Sequence, residues 1–191
     1  MHIFKQCSLA LLGLSVFLTG CQSYTQPKPT KAPIIEANNQ FYLQGKIGIR
    51  TPQQSGSAFF TWIQQQEQFD LELTGILGVG KTQISGQPGQ VTLNSAKTGL
   101  IEASSAEELL ARATGWQAPI THLVDWVQAR PATPNAELSK DEQGRISQIL
   151  EDGWVVDLSF NAAANLPNRL ILKQSFEDGS ENRIKMVIQN R

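Results

Sequence analysis

Side chains able to perform covalent or metal chemistry are scarce in this chain of 191 residues. It has two histidines, His2 and His122, and two cysteines, Cys7 and Cys21. A catalytic triad combines a serine, a histidine and a carboxylate, and a structural zinc site needs closely spaced cysteine and histidine ligands. Neither pattern stands out, and a lone histidine in a helical segment, as at His122, is usually solvated or caps the helix. We therefore expect a protein that is not an enzyme and that carries no metal and no cofactor.

One segment satisfies the bare expression of a phosphate-binding loop. Residues 75–82 read Gly-Ile-Leu-Gly-Val-Gly-Lys-Thr, which fits the spacing G-x-x-x-x-G-K-[ST]. A functional loop of this kind opens a helix whose N-terminus binds the phosphates. Here residues 81–87 alternate like a strand and meet Pro88-Gly89 at once. We interpret the match as accidental.

The same segment carries apolar side chains where a turn normally carries polar ones. Ile76, Leu77 and Val79 lie among three glycines between two predicted strands. Apolar side chains at an exposed loop tip cost solubility unless they meet a membrane or a partner. We predict that Ile76, Leu77 and Val79 form a membrane-inserting loop. The alternative is that they fold back onto the core.

The amino-terminal residues have the pattern of a secretion signal. Residues 7–18 form an apolar run of the length of a signal h-region, too short to span a bilayer as a helix. The run ends in Leu18-Thr19-Gly20-Cys21, which resembles the bacterial lipoprotein signal, where the cysteine becomes the acylated first residue. We predict a lipoprotein signal peptide over residues 1–20 and lipidation at Cys21. The alternative is an ordinary secretory signal followed by a chance cysteine.

The residues after Cys21 predict the destination of the chain and its attachment. The resemblance to Gram-negative lipoproteins implies the outer membrane, because Gln22 replaces the aspartate that retains such proteins at the inner membrane. Residues 21–40 are polar and rich in proline, so we predict an acylated cysteine followed by a flexible tether. The protein would then be lipid-anchored at the periplasmic face of the outer membrane. With Cys7 removed and Cys21 acylated, its stability would come from packing and not from a disulfide.

Charge and composition narrow the remaining functions. The chain has 16 Lys and Arg and 17 Asp and Glu, for a formal net charge of -1. An electrostatic nucleic-acid binder needs a surplus of basic residues on one face, so we exclude nucleic acid as a partner. The apolar fraction of 40% is enough for a core, and the length suits a single domain over residues 41–191.

The domain shows a repeated period-2 pattern. In the first run, apolar residues from Phe41 to Ile49 alternate with polar residues or glycine, which is typical of a half-buried strand. Further strands are predicted over residues 57–64, 69–73, 81–87, 91–93, 100–101, 146–150, 154–160, 169–176 and 183–188. Turn signals such as Glu151-Asp152-Gly153 separate them. Ten or eleven strands imply a strongly curved antiparallel sheet or an open barrel.

The β pattern is interrupted once, by two predicted helices. Ser104 and Ser105 each stand three residues before a glutamate, which is a capping box, and a helix over residues 107–114 follows. Pro119 predicts the start of a second helix, which Pro131 would end. The apolar stripe of this second helix is Ile120, Leu123, Val124 and Val127. Both helices would plug or cover the concave face of the sheet.

Short motifs follow one another in a fixed order along residues 41–189. They are Gly45-Lys46-Ile47, Ser57-Ala58-Phe59-Phe60-Thr61-Trp62, Leu73-Thr74-Gly75-Ile76-Leu77-Gly78, Ala106-Glu107-Glu108-Leu109, Leu123-Val124-Asp125-Trp126 and Gly153-Trp154-Val155-Val156. In this order, behind a lipoprotein signal, they resemble the LolB family of outer-membrane lipoproteins. Members of that family commonly carry proline where Ile76 stands and glycine near Ala129.

The resemblance implies both a fold and a function. The fold would be an unclosed antiparallel barrel of about eleven strands, with short helices as a lid over an apolar cavity for acyl chains. The function would be that of a receptor that accepts lipoproteins from the periplasmic carrier LolA and inserts them into the outer membrane. Its partners would be LolA, acylated lipoprotein cargo and outer-membrane lipids, and we expect a monomer. The candidates for lining the cavity are Phe60, Trp62, Leu71, Trp126 and Trp154, each of which would equally serve a plain core.

Two functions of other classes stay open. One is a structural outer-membrane assembly lipoprotein without lipid-binding activity. The other is a lipid-modifying hydrolase, for which the chain offers no convincing nucleophile and base. Lipid or acylated peptide that co-purifies with the protein would separate a receptor from a scaffold.

Overall fold

The alternating runs form the strands of one antiparallel sheet. The computed structural model describes residues 39–75 and 80–191. The strands are β1 (Gln40–Arg50), β2 (Ser55–Gln65), β3 (Gln68–Thr74), β4 (Lys81–Gln87), β5 (Gln90–Ser95), β6 (Gly99–Ala103), β7 (Glu137–Lys140), β8 (Ile146–Glu151), β9 (Trp154–Ser159), β10 (Arg169–Ser175) and β11 (Glu181–Asn190). All but β7 coincide with a predicted run. The short β7 has no predicted counterpart, because Leu138 is its only apolar residue and no alternation can be recognised.

The strand order explains why the sheet is a barrel that does not close. The order is β6-β5-β4-β3-β2-β1-β11-β10-β9-β8-β7. Chain neighbours pair antiparallel, and β1 joins the two halves by pairing with β11. Across the described ranges no pairing joins the edge strands β6 and β7, and the helices lie between them in sequence. The expected unclosed antiparallel sheet of about eleven strands is thus confirmed.

The first predicted helix is confirmed together with its caps. It is α1 (Ala106–Thr114). Ser105 Oγ accepts the backbone N–H of Glu108 at 3.1 Å, and Glu108 Oε2 accepts the backbone N–H of Ser104 at 2.8 Å. Gly115 ends the helix with φ 73, and its N–H donates to the carbonyl of Ala111. Both ends therefore have the side-chain and glycine caps that stabilise a short helix.

The second predicted helix is shorter than its apolar stripe suggested. A 3₁₀ turn (Ile120–His122) leads into α2 (Leu123–Trp126), and Pro119 lies before the turn with ψ 73, outside the helical region. The end of α2 is a Schellman motif, in which Arg130 N–H donates to Asp125 O and Ala129 N–H donates to Trp126 O. Ala129 takes the left-handed position at φ 55, where glycine is the usual residue. This motif ends the helix before Pro131.

The helical residues pack onto the concave face of the sheet. Leu123, Trp126 and Val127 are buried in one apolar cluster with inward-facing residues of β1, β2 and β8 to β11. Leu109 of α1 lies in a second, smaller cluster with Val91 and Leu93. We call residues 106–127 the cover, because they lie over the interior of the barrel. Within the described residues, no helix is long and apolar enough to cross a membrane.

Candidate functional site

The interior beneath the cover is apolar and closed. A narrow cleft lies there, and it leaves essentially no space for a water molecule. Its lining residues are Ala118, Pro119, Ile120, Leu123, Trp126, Trp154, Leu172 and Ile184. Binding pockets for small molecules measure roughly 300–1,000 Å³. An apolar ligand can therefore enter this interior only if part of the cover moves.

The five predicted lining residues lie in one cluster. Phe60, Trp62, Trp126 and Trp154 are buried members of it, and Leu71 packs against it while partly buried. Trp126 and Trp154 border the cleft itself. The other three lie on β2 and β3, where Trp62 faces Leu71 across the strand pair. The structure brings all five together, and their contact with acyl chains stays a prediction.

A buried carboxylate holds the end of the cover against the barrel. Glu151, at the end of β8, is 4% exposed. Its Oε2 accepts the indole N–H of Trp126 at 2.7 Å and the backbone N–H of Ala132 at 3.1 Å. Its Oε1 accepts the backbone N–H of Thr133. Three donors from the cover and the chain after it thus converge on one carboxylate.

Sequence reasoning places Glu151 only in a turn. The residue that could have revealed its role is Ile149, which is buried on the same strand two positions earlier. Side chains two apart on a strand point to the same face. The alternation therefore places the Glu151 side chain in the interior, and a buried carboxylate needs hydrogen-bond donors.

Two arginine side chains make further hydrogen bonds in the same region. Arg191 donates from one guanidinium nitrogen to the carbonyls of Val127 at 2.7 Å and Pro167 at 2.6 Å. Its burial lowers the pKa of this guanidinium. Arg130 donates to Asn39 Oδ1 at 2.7 Å and to Asp125 Oδ1 at 3.0 Å. Both contacts join the end of the cover to the ends of the β structure.

Asp125 is the titratable group of α2 whose pKa is displaced. Burial raises the pKa of its carboxyl, and this outweighs the opposing hydrogen bond from Arg130. Nearby Glu151 raises it further, whereas His122 acts in the opposite direction. The ionised form of Asp125 is therefore less favourable in the folded protein than in water.

His122 occupies the position that caps the N-terminus of α2, but its side chain makes no capping hydrogen bond and is mostly buried. Its ring packs edge-on against Trp126 at a centroid distance of 5.4 Å, and its side chain is 21% exposed. Nδ1 lies 3.7 Å from Asp152 Oδ2 and makes no hydrogen bond within the part of the chain that is described. No group of three or more His, Cys, Asp and Glu side chains among the described residues could hold a metal ion.

The segment that mimics a phosphate loop continues as a strand. Lys81, which would reach a phosphate, begins β4, and its Nζ lies 2.6 Å from Glu72 Oε2 on the neighbouring β3. The strand predicted over residues 81–87 is confirmed, so the described chain after Gly80 is a strand and not the helix whose N-terminus phosphate binding uses. The predicted membrane-inserting residues Ile76, Leu77 and Val79, and the predicted lipidation site Cys21, lie outside the described residues.

These features define a class of protein: an incomplete antiparallel barrel whose apolar interior is closed by a short helical cover. Residues 39–190 match the family model described as "Outer membrane lipoprotein LolB". The chain belongs to this LolB family, and the resemblance seen in the motifs is confirmed.

Curated relatives agree with this assignment, and three of them, each named outer-membrane lipoprotein LolB, show how far the similarity extends. The protein of Stutzerimonas stutzeri (strain A1501) is 40% identical over 152 residues, which cover 78% of this chain and 71% of the relative. That of Pseudomonas fluorescens is 38% identical over 151 residues, covering 77% and 71%. That of Pseudomonas syringae pv. syringae is 36% identical over 177 residues, covering 85% and 86%.

Proposed function

We propose that this protein is an outer-membrane receptor that accepts lipoproteins from the periplasmic carrier LolA and inserts them into the outer membrane. The observation that carries the proposal is the apolar cleft between α2 and the sheet, bordered by Trp126 and Trp154. Membership of the LolB family supports it, because the relatives are named as outer-membrane lipoproteins. Aromatic rings supply large apolar area with few rotamers to freeze, which suits a site for flexible acyl chains.

The closed cleft implies how acyl chains would enter. Side chains of the cover, chiefly Leu123 and Trp126, occupy the space that a ligand needs. If α2 moves outward, acyl chains replace one set of apolar contacts with another. Each buried CH₂ group then contributes about 0.8 kcal/mol, which offsets the contacts that the cover loses. The polar contacts at Glu151 and Arg191 lie at the end of the cover, so they would serve as the hinge or the clasp of this movement.

The direction of transfer would follow from relative affinity. A receptor that binds the acyl chains more tightly than the carrier takes the cargo without an energy source. Each tenfold difference in affinity corresponds to about 1.4 kcal/mol. A few additional apolar contacts in the receptor are enough to make the transfer nearly complete.

The remaining parts of the chain complete the proposal. The signal over residues 1–20 would be removed, and acylated Cys21 with the tether of residues 21–40 would anchor a monomeric barrel to the outer membrane. Ile76, Leu77 and Val79 would enter the membrane interface during delivery. In support, this loop connects β3 to β4, and its base is joined by the hydrogen bond from Gly75 N–H to Gly80 O at 3.4 Å.

A protein that cannot be anchored provides the test. Cys21→Ala behind a cleavable secretion signal should be soluble in the periplasm and should still take a labelled lipoprotein from LolA in solution, because the tether separates the anchor from the barrel. Mass spectrometry of the purified protein should show bound lipid or acylated peptide. If no lipid binds and no complex with LolA forms, the receptor function is wrong and a structural lipoprotein is favoured.

A further inference from the structure

A second cavity opens at one end of the barrel, and uncharged polar side chains contribute about half of its lining. It measures about 540 Å³. The turn between β1 and β2, the segment after α1 and the hairpin of β10 and β11 surround it. Its lining residues are Thr51, Pro52, Gln53, Gln54, Thr114, Gly115, Trp116, Gln117, Gln174, Phe176, Ser180 and Asn182.

This cavity continues the apolar interior outward. Gln174 on β10 pairs with Asn182 on β11, and the next inward-facing pair along the two strands is Leu172 with Ile184. Leu172 and Ile184 line the apolar cleft beneath the cover. A ligand that spans both spaces would therefore contact hydrocarbon side chains beneath the cover and amide groups at the end of the barrel.

Trp116 forms the boundary between the two spaces. It lines the polar cavity, and its ring centroid lies 6.5 Å from that of Trp154, which borders the apolar cleft. The indole Nε1 of Trp116 is buried and has no hydrogen-bond partner within the described residues. A buried donor without a partner is unfavourable, and an acceptor oxygen would reach this one only if the neighbouring side chains move.

The lining selects for uncharged polar groups. Five side-chain amides contribute to it, Gln53, Gln54, Gln117, Gln174 and Asn182, and none of the described lining residues is charged. Asn182 is 5% exposed, and its Nδ2 donates to Gln174 Oε1 at 3.0 Å. Amides both donate and accept hydrogen bonds. They suit ester and amide carbonyls, whereas a phosphate is better recognised by Arg or Lys.

We propose that this cavity binds the ester- and amide-linked head of the acylated cysteine of a lipoprotein, while the acyl chains occupy the apolar interior. The assignment rests on the proposed function and adds to it a site that distinguishes acylated cysteine from phospholipid.

The test uses three probes on the full chain carrying Cys21→Ala. They are a tripalmitoylated cysteinyl tetrapeptide amide, with two ester-linked chains and one amide-linked chain and no charged side chains, dipalmitoyl phosphatidylglycerol, and dodecylpyrene as a probe of the apolar interior alone. This parent protein, with no further substitution, should bind the peptide at least tenfold more tightly than the phospholipid. Gln174→Leu with Asn182→Leu should weaken peptide binding about tenfold and leave dodecylpyrene binding unchanged. Removing both amides together leaves neither partner unpaired, which favours a folded variant.

A matched pair of amides provides the control. Asn190 Nδ2 lies 3.3 Å from Gln44 Oε1 across the β1–β11 pair, exposed and distant from the cavity. Gln44→Leu with Asn190→Leu should change the binding of none of the probes. If the inward pair proves necessary for folding, Gln53→Ala with Gln117→Ala alters only exposed positions at the rim and should also weaken peptide binding selectively.

The outcomes separate the two proposals. If neither the peptide nor dodecylpyrene binds wild type, the proposed function itself fails. If dodecylpyrene binds but the peptide and the phospholipid bind equally, the proposed head-group site is wrong, whereas the proposed binding of acyl chains in the apolar interior is supported. Unchanged peptide affinity in both cavity variants would overturn the site in the same way.

Discussion

Trp126 on α2 donates its indole N–H to Glu151 at the end of β8, and this hydrogen bond of 2.7 Å crosses from the cover to the barrel. Both residues are buried, and the same carboxylate also accepts the backbone N–H groups of Ala132 and Thr133. Because all the donors come from the cover or from the chain that leaves it, Glu151 helps to fix the position of α2, together with Arg130 and Arg191. The hydrogen bond between Trp126 and Glu151 thus helps to keep the cleft beneath the cover closed.

Replacement of Glu151 should destabilise the fold strongly. In Glu151→Ala one buried and two partly buried N–H groups lose their acceptor, at about 1–3 kcal/mol for a buried one, so we expect the free energy of unfolding to fall by roughly 3 kcal/mol. Asp152→Asn is the control, because Asp152 is an exposed neighbour at φ 48 and asparagine tolerates that conformation. Urea denaturation measures both. A loss below about 1 kcal/mol for Glu151→Ala would show that water replaces the carboxylate and that the contact is unimportant.

The variant Leu77→Asp should distinguish delivery of cargo to the membrane from acceptance of cargo from LolA. A charge at a loop tip that enters the membrane interface is costly, whereas a solvated tip leaves the core untouched. We expect normal folding and normal acceptance of cargo from LolA, but poor transfer of cargo to liposomes. The control is Gln143→Asp, in the exposed turn between β7 and β8. It should leave folding, acceptance of cargo and transfer to liposomes unchanged. A large drop in melting temperature for Leu77→Asp would instead place Leu77 in the core.

Two glycines of β1 should respond differently to alanine. A Cβ atom at Gly45 would lie 2.0 Å from the carbonyl oxygen of Val187 on β11, at the point where the register of the pair shifts. A Cβ atom at Gly48 would meet its nearest neighbour only at 3.9 Å. Gly45→Ala should therefore cost at least about 2 kcal/mol, and Gly48→Ala less than about 0.5 kcal/mol. Thermal unfolding of the two variants tests this, and equal melting temperatures would contradict it.

Asp157 should make the stability depend on acid pH. Burial raises the pKa of its carboxyl, but hydrogen bonds from Gln148 at 2.8 Å and Lys173 at 3.0 Å outweigh burial and hold the pKa below its ordinary value of 3.8. A folded-state pKa below the unfolded one stabilises the protein above the unfolded value, and this contribution is lost as the pH falls through the folded value.

The variant Asp157→Asn isolates this contribution. At pH 7 it should be less stable than wild type, and the difference should shrink as the pH falls from about 5 to below about 3. Melting temperatures across this range measure the effect. Parallel curves for the two proteins would mean that Asp157 ionises equally in the folded and unfolded states.

Much of the fold can be predicted from local patterns. The alternation from Phe41 to Ile49, the capping box at Ser105 and the turn before Trp154 each involve residues close together in sequence, so their physical causes act within a few residues. These local causes determine the strands, α1 and most turns. The order of the short motifs is enough to indicate the family. The four-residue β7 escapes such prediction because its pairing with β8, and not its own composition, makes it a strand.

Local patterns in the sequence therefore predict every described strand except β7, the bounds of α1 to within one residue, and an apolar interior. How that interior is closed depends on contacts that only the folded chain forms. The end of α2 depends on Ala129 entering the left-handed region, and the closure of the cleft depends on Glu151 meeting Trp126, 25 residues away. The amide pair Gln174 and Asn182 reaches the mouth of the barrel through strand register and sheet curvature. Those contacts join residues distant in the chain. A local pattern can place a side chain on the inner face, as alternation does for Glu151, but it cannot identify the partner that the side chain meets.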